Sequence, residues 1–169
     1  MSNYVRVCAI DAGTRNFAFC IVDSVNWHCP LHWEKVDLWA PKVGRRLTPT
    51  KDDIVTITRE WCRTNWSILR ECDFIVLENQ LRTPFIIMNT VIQTLFYNTC
   101  SVIHPMTVAA FFKLPKTRAE KKLAGCAVVG RYTEIDKKLG KIDDLADAWL
   151  MAVHKLQAED GISKKEFDA

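Results

Sequence analysis

The chain has 169 residues, of which 49% are hydrophobic and 25% charged, a size that suits one domain with a substantial core and would cramp two. Lys and Arg total 23 against 20 Asp and Glu, a net charge of +3, which neither demands nor excludes nucleic acid; the placement of the charges matters more than their sum. The first residues lack the charged head and long apolar run of a secretory signal, and the most apolar stretch, 84–97, is broken by Asn89, Thr90, Gln93 and Thr94 and is too short to span a bilayer.

In chain order, residues 4–11 carry Val5, Val7 and Ile10, end on Asp11 and run into Ala12-Gly13-Thr14, which reads as a strand entering a turn. Residues 17–22 read as a second strand, paired to the first as a hairpin, and 33–39 as a weaker third with alternating Val36 and Leu38. A polar, basic connector covers 41–51. From about residue 50 the period becomes helical: Ile54, Ile57, Trp61 and Ile68 are spaced for one face, with Asp52 and Asp53 in the first turn. Residues 74–77 form a short continuous apolar run, as in a strand buried on both faces, and end on Glu78. A helix is predicted over 85–98 and a short strand over 101–104, stopped by Pro105. Helical patterns follow at 108–112 and 118–129, separated by Lys113-Leu114-Pro115-Lys116, and a last strong helix runs from 143 to about 157. Antiparallel strands followed by βα alternation predict an α/β fold, a mixed sheet with helices on both faces. No repeat or low-complexity tract interrupts it, so 1–158 is expected to be a single domain and 159–169 a polar tail.

Seven cysteines, an odd number with no CxxC pair, lie partly inside apolar runs (Cys8, Cys20, Cys100). They are expected to be free thiols in a reducing, intracellular compartment. His28, Cys29 and His32 superficially suggest zinc, but a fourth ligand is missing and the segment reads as a hairpin loop. Six tryptophans are many for this length; core packing is the default for them, and dimer interfaces are the other place where aromatics collect. No GxxxxGK[ST] loop, GxSxG elbow or local Cys–His pair is present, so no nucleotide cofactor and no covalent nucleophile of those kinds is expected.

The informative residues are acids at element ends. Asp11 closes the first strand and Glu78 a buried one, and ligand chemistry in open α/β sheets gathers at strand ends. On the last helix Leu145, Trp149, Ala152, Val153 and Leu156 form an apolar stripe, and Asp144 and Asp147 stand roughly 60° apart beside it. Asp143 is i to i+4 from Asp147, so spacing alone does not exclude it. Clustered carboxylates repel one another, and a cation relieves that cost. Oxygen-only ligands suit Mg²⁺ or Mn²⁺, and two such ions about 4 Å apart would serve phosphodiester hydrolysis. The plainer alternative is that Asp143 or Asp144 only caps a helix. Lys113, Lys116, Arg118, Lys121 and Lys122 crowd a predicted helix start against its dipole, which calls for an anion such as DNA phosphate or else marks a solvated face. Arg45, Arg46, Lys137, Lys138 and Lys141 would widen that footprint, whereas Lys164 and Lys165 read as solvent-exposed tail.

Three ordered motifs carry a family resemblance: Cys8-Ala9-Ile10-Asp11-Ala12-Gly13-Thr14-Arg15-Asn16, Val76-Leu77-Glu78-Asn79-Gln80, and Asp143-Asp144-Leu145-Ala146-Asp147-Ala148. They resemble the acidic motifs of RuvC-type Holliday junction resolvases, members of the RNase H-like superfamily, over about residues 5–156. The Glu78-x-Gln80-x-Arg82 form is closest to the poxvirus and mitochondrial branches. The resemblance implies an RNase H-like fold and a dimeric, Mg²⁺-dependent endonuclease that cuts four-way DNA junctions symmetrically. It implies two ions held by Asp11, Glu78, Asp144 and Asp147, favouring Asp144 over Asp143 by the family's three-residue step. Lys121 and Lys122 match a basic position near the scissile phosphate, Lys122 being the expected catalytic member. Arg15, Gln80, Arg82, Lys113, Lys116, Arg118 and Lys121 form the expected DNA-contacting set. Leu81 stands where bacterial members carry an aromatic residue, and the mitochondrial members' extra amino-terminal segment is absent. The poxvirus-like details point to a virus, hence to host cytoplasm. Another RNase H-like nuclease and a non-catalytic branched-DNA binder are the competing readings.

Overall fold

The computed structural model describes residues 4–40, 48–133, 142–159 and 162. Five strands form one sheet in the order β3-β2-β1-β4-β5: β1 (Arg6–Asp11), β2 (Phe17–Asp23), β3 (His32–Val36), β4 (Phe74–Glu78) and β5 (Cys100–Ile103). The first three are antiparallel neighbours, while β4 joins β1 and β5 joins β4 in parallel, so the expected mixed RNase H-like sheet is the one found.

Period-two alternation divides the core into two layers. Val7, Ala9, Ala18, Cys20, Val22 and Val76 pack on one face with Trp149 and its helix. Cys8, Ile10, Phe17, Phe19, Ile21, Ile75 and Leu77 face the other way, towards Ile54, Trp61, Met88 and Ile92. The helices are α1 (Lys51–Thr64), α2 (Trp66–Leu69), α3 (Thr83–Leu95), α4 (Pro105–Phe111), α5 (Arg118–Tyr132) and α6 (Asp143–Ala158). α6 lies across β1 and β2 and is buried well beyond its predicted stripe, because α5 covers its back. Gly125 permits that approach: a Cβ there would stand 3.3 Å from Leu150 Cδ1. Trp149, fully buried, stacks 6.2 Å from Tyr132 and lies 5.8 Å from Trp27. Core packing accounts for Trp27, Trp39, Trp61 and Trp149; Trp66 is exposed.

Some boundaries differ from expectation. The third strand stops at Val36, where Asp37 Oδ1 accepts from the Trp39 N–H (2.9 Å) and turns the chain. The helix expected to reach Ile68 breaks at Asn65, whose backbone N–H and side-chain amide both donate to the Trp61 carbonyl (3.0 and 2.9 Å). α1 begins in a capping box between Thr50 and Asp53. All seven cysteines are free, and Cys8, Cys20, Cys62 and Cys72 are buried. Of the expected tail, Ile162 is buried in the α6-side core. Among the described residues no helix is long and apolar enough to cross a membrane.

Candidate active site

Asp11 follows Ala9 by two residues and Glu78 follows Val76 by two, so both carboxylates project from the α6 face of adjacent strands. The turn after Asp11 needs a glycine: a Cβ on Gly13 would meet the Asn16 carbonyl oxygen at 2.8 Å. The end of β4 is fixed from both sides. The Asn79 N–H donates to the Ile103 carbonyl (2.8 Å), and Asn89 Nδ2, reaching in from α3, donates to the Glu78 carbonyl (2.8 Å). Asp143 and Asp144 occupy the first turn of α6, where the helix dipole favours them.

These elements converge on a cleft of about 640 Å³ lined by Asp11, Glu78, Asp144 and Asp147. Burial, followed by repulsion from Glu78, Asp147 and Asp144, pushes the Asp11 carboxyl up to about 8. Burial and Asp147 raise Glu78 to about 7. Asp147 rises to about 6, chiefly through burial, with Lys122 opposing the rise. Gln80 Nε2 sits between two of the acids, donating to Asp11 Oδ1 (3.2 Å) and Glu78 Oε2 (2.5 Å). Among the described residues no three His, Cys, Asp or Glu side chains form a ready metal-holding group. The donor set itself, hard carboxylate oxygens crowded and partly buried, fits a hard divalent cation such as Mg²⁺ or Mn²⁺.

The two neighbouring aspartates separate clearly. Asp143 is buried, bonded to Lys122 Nζ, and absent from the cleft lining. Asp144 lines the cleft and has Lys35 Nζ 3.9 Å from its Oδ2. Lys35 is a residue the sequence reading missed. Ala18 pairs with Asp11 on one side and with Lys35 on the other, so the three form one row across the sheet. The alternation of Trp33 and Lys35 was its available signal.

Of the expected cations, Arg15, Arg82, Arg118, Lys121 and Lys122 line the same cleft, as do Gln80 and Leu81. Leu81 is 89% exposed. Lys113 and Lys116 are exposed on the α4–α5 connector and do not line it. The crowding of cations at the start of α5 is partly answered within the protein: Lys122 has Asp143, and Glu120, itself in the first turn, accepts from Thr117 Oγ1 (2.5 Å). The Asp143 bond, ahead of the neighbouring aspartates, raises the Lys122 ammonium above its ordinary value, so it stays protonated at neutral pH. Arg45, Arg46, Lys137, Lys138, Lys141, Lys164 and Lys165 lie outside the described residues. A second cavity, about 370 Å³ between α1 and α3, is lined by Arg59, Glu60, Cys62 and Trp66 and gathers no such group of acids.

Solved structures share this fold. The fowlpox virus resolvase in complex with Holliday junction DNA is 19% identical over 92% of this chain and 99% of that one, with a TM-score of 0.63. The yeast mitochondrial Holliday junction resolvase is 14% identical over 93% of this chain and 81% of that one (TM-score 0.67). Thermus thermophilus RuvC is 15% identical over 93% and 97% (TM-score 0.57). At these identities the likeness establishes the fold. No curated protein sequence matches the chain. A family model described as Poxvirus A22 protein, however, matches residues 5–159, from before the first acidic motif to beyond the last. The chain therefore belongs to the Poxvirus A22 protein family.

Proposed function

We propose that the chain is a metal-dependent endonuclease that resolves four-way DNA junctions by paired, symmetric phosphodiester hydrolysis. The observation that carries this reading is one cleft in which Asp11, Glu78, Asp144 and Asp147 face a rim of Arg15, Arg82, Arg118 and Lys121. Acids that would repel a phosphate on their own are set among cations that attract it, the combination phosphoryl chemistry needs. The fowlpox virus structure with Holliday junction DNA, sharing this fold, supports a branched substrate.

In this reading Asp11, Glu78, Asp144 and Asp147 hold two Mg²⁺ or Mn²⁺ ions, while Asp143 serves Lys122 instead. When bound, those ions would supply positive charge to the reacting phosphate. Lys122, whose ammonium Asp143 and the neighbouring aspartates favour, stabilises charge gathering on the phosphate. Arg15, Arg82, Arg118 and Lys121 grip the backbone around it, with Lys113 and Lys116 reaching DNA beyond the cleft; phosphate contacts position the substrate without reading sequence. Gln80, expected from the resemblance to touch DNA, has its amide on the acids. Two protomers acting together would place two clefts on opposite strands of one junction. A poxvirus-family enzyme of this kind works in host cytoplasm, which keeps its thiols reduced.

A gel assay with synthetic junction, RNA–DNA hybrid, flap and duplex, with and without Mg²⁺, tests the reading. Paired symmetric cuts in the junction, dependent on Mg²⁺, are expected. Preferential degradation of the hybrid would assign the cleft to a different RNase H-like activity, and binding without cutting would leave a junction-binding protein.

A further inference from the structure

We propose that the Gln80 amide acts as an internal stand-in for a cation between Asp11 and Glu78, and that a divalent ion enters this part of the cleft by displacing it. The inference rests on the metal-dependent reading above and gives Gln80 a role in the acid cluster rather than on DNA. Three observations carry it.

Gln80 lies two residues beyond Glu78, immediately after β4, and the Asn79 N–H bond to Ile103 keeps this exit in line with the sheet. Its side chain therefore returns over the same face as Glu78. Both Nε2 hydrogens are committed, one to Asp11 Oδ1 at 3.2 Å and one to Glu78 Oε2 at 2.5 Å, so a single amide bridges carboxylates from two different strands. An amide nitrogen has only these two hydrogens and no lone pair to offer a cation. An ion that takes the lone pairs now facing the amide, between the two strands, must first break both bonds.

Such a bridge has two consequences. It restrains crowded acids before an ion arrives, because it gives each of two partly buried carboxyl groups a hydrogen-bond donor. It also lowers apparent ion affinity, because the ion competes with a neighbour that is always present. Removing the amide should therefore loosen the ion-free chain and tighten ion binding. A residue that merely contacted DNA would do neither, and one that ligated the ion through Oε1 would have the opposite effect on affinity.

The test is a Mn²⁺ titration of the full chain without DNA, read from the loss of the free-ion paramagnetic resonance signal, alongside thermal melting in chelator. Gln80→Met keeps the length and removes the amide; Gln80→Ala decides should Gln80→Met fail to fold. Mn²⁺ binding about tenfold tighter than wild type, with a lower melting temperature in chelator, is expected. Equal or weaker Mn²⁺ binding overturns the proposal, as does a variant that loses junction binding in chelator while titrating like wild type. Failure of the metal reading itself looks different: wild type would take up no Mn²⁺, or Asp11→Asn would take up as much as wild type.

Discussion

Two aspartates close adjacent strands of the same sheet at opposite ends, and they are built differently. Asp23, at the end of β2, is buried but well supplied: its carboxylate accepts from the Val25 and Asn26 N–H groups (3.0 and 2.8 Å) and from the Tyr4 hydroxyl (3.2 Å). Asp11, at the end of β1, looks into a cleft where Glu78, Asp144 and Asp147 are its neighbours, and its charge is opposed by burial and by theirs. Donors that match an acid make it part of the scaffold. An acid set among other acids stores repulsion that a ligand can release.

Breaking the comparison at the cleft gives the largest effect. Asp11→Asn or Glu78→Gln should lower Mg²⁺-dependent junction cutting by about a thousandfold or more while junction binding in a gel shift is retained. Asp11→Asn should also raise the melting temperature in chelator, because it removes repulsion. Asp23→Asn should do the reverse, leaving cutting within a few-fold and lowering stability by about 1–3 kcal/mol in a urea titration.

The pH dependence follows from the same contrast. The Asp11 carboxyl is raised from 3.8 to about 8 and Glu78 from 4.5 to about 7, so across those ranges the folded chain holds protons that the unfolded chain has released. The stability these two carboxyls contribute in chelator should therefore be fully present below about pH 4 and be lost as pH climbs towards 8. Asp11→Asn should flatten that fall in melting scans taken at intervals of pH, and saturating Mg²⁺ should flatten it in wild type. Lys35→Met sharpens the comparison on the helix side. Removing the β3 cation beside Asp144 should cost about 1–3 kcal/mol in chemical denaturation, and Lys35→Arg should recover most of it. The smallest effect belongs to Lys113, which has φ 53° after α4. There the Leu114 N–H bonds Ala109 O and the Lys113 N–H bonds Ala110 O, a helix ending that glycine favours. Lys113→Gly should stabilise the chain by about 0.5–1 kcal/mol in thermal melting.

What could be read in the sequence was local. Asp11 and Glu78 stood out because each ends an apolar run, and Asp144 and Asp147 because a three-residue step sets them side by side on a helix. The mixed character of the sheet followed from the switch between hairpin and crossover connections, whereas its strand order did not. What could not be read depends on contacts that no local pattern encodes. Lys35 reaches the site through the register of three strands, and Asn89 through the packing of α3 on the end of β4. The bond between Asp143 and Lys122, 21 residues apart in the chain, is likewise invisible to spacing. The helix break at Asn65, where the side chain also bonds the Trp61 carbonyl, is a feature that spacing of apolar residues cannot register.

The central claim is that the acids at the Asp11 end of the sheet are the chemical centre and the acid at the other end is scaffold. Single-turnover cutting of a synthetic four-way junction by Asp11→Asn and Asp23→Asn, with Mg²⁺ and with enzyme in excess, tests it most directly. The account predicts that both variants bind the junction, that Asp23→Asn cuts it in symmetric pairs near the wild-type rate, and that Asp11→Asn does not cut. Wild-type cutting by Asp11→Asn would contradict it.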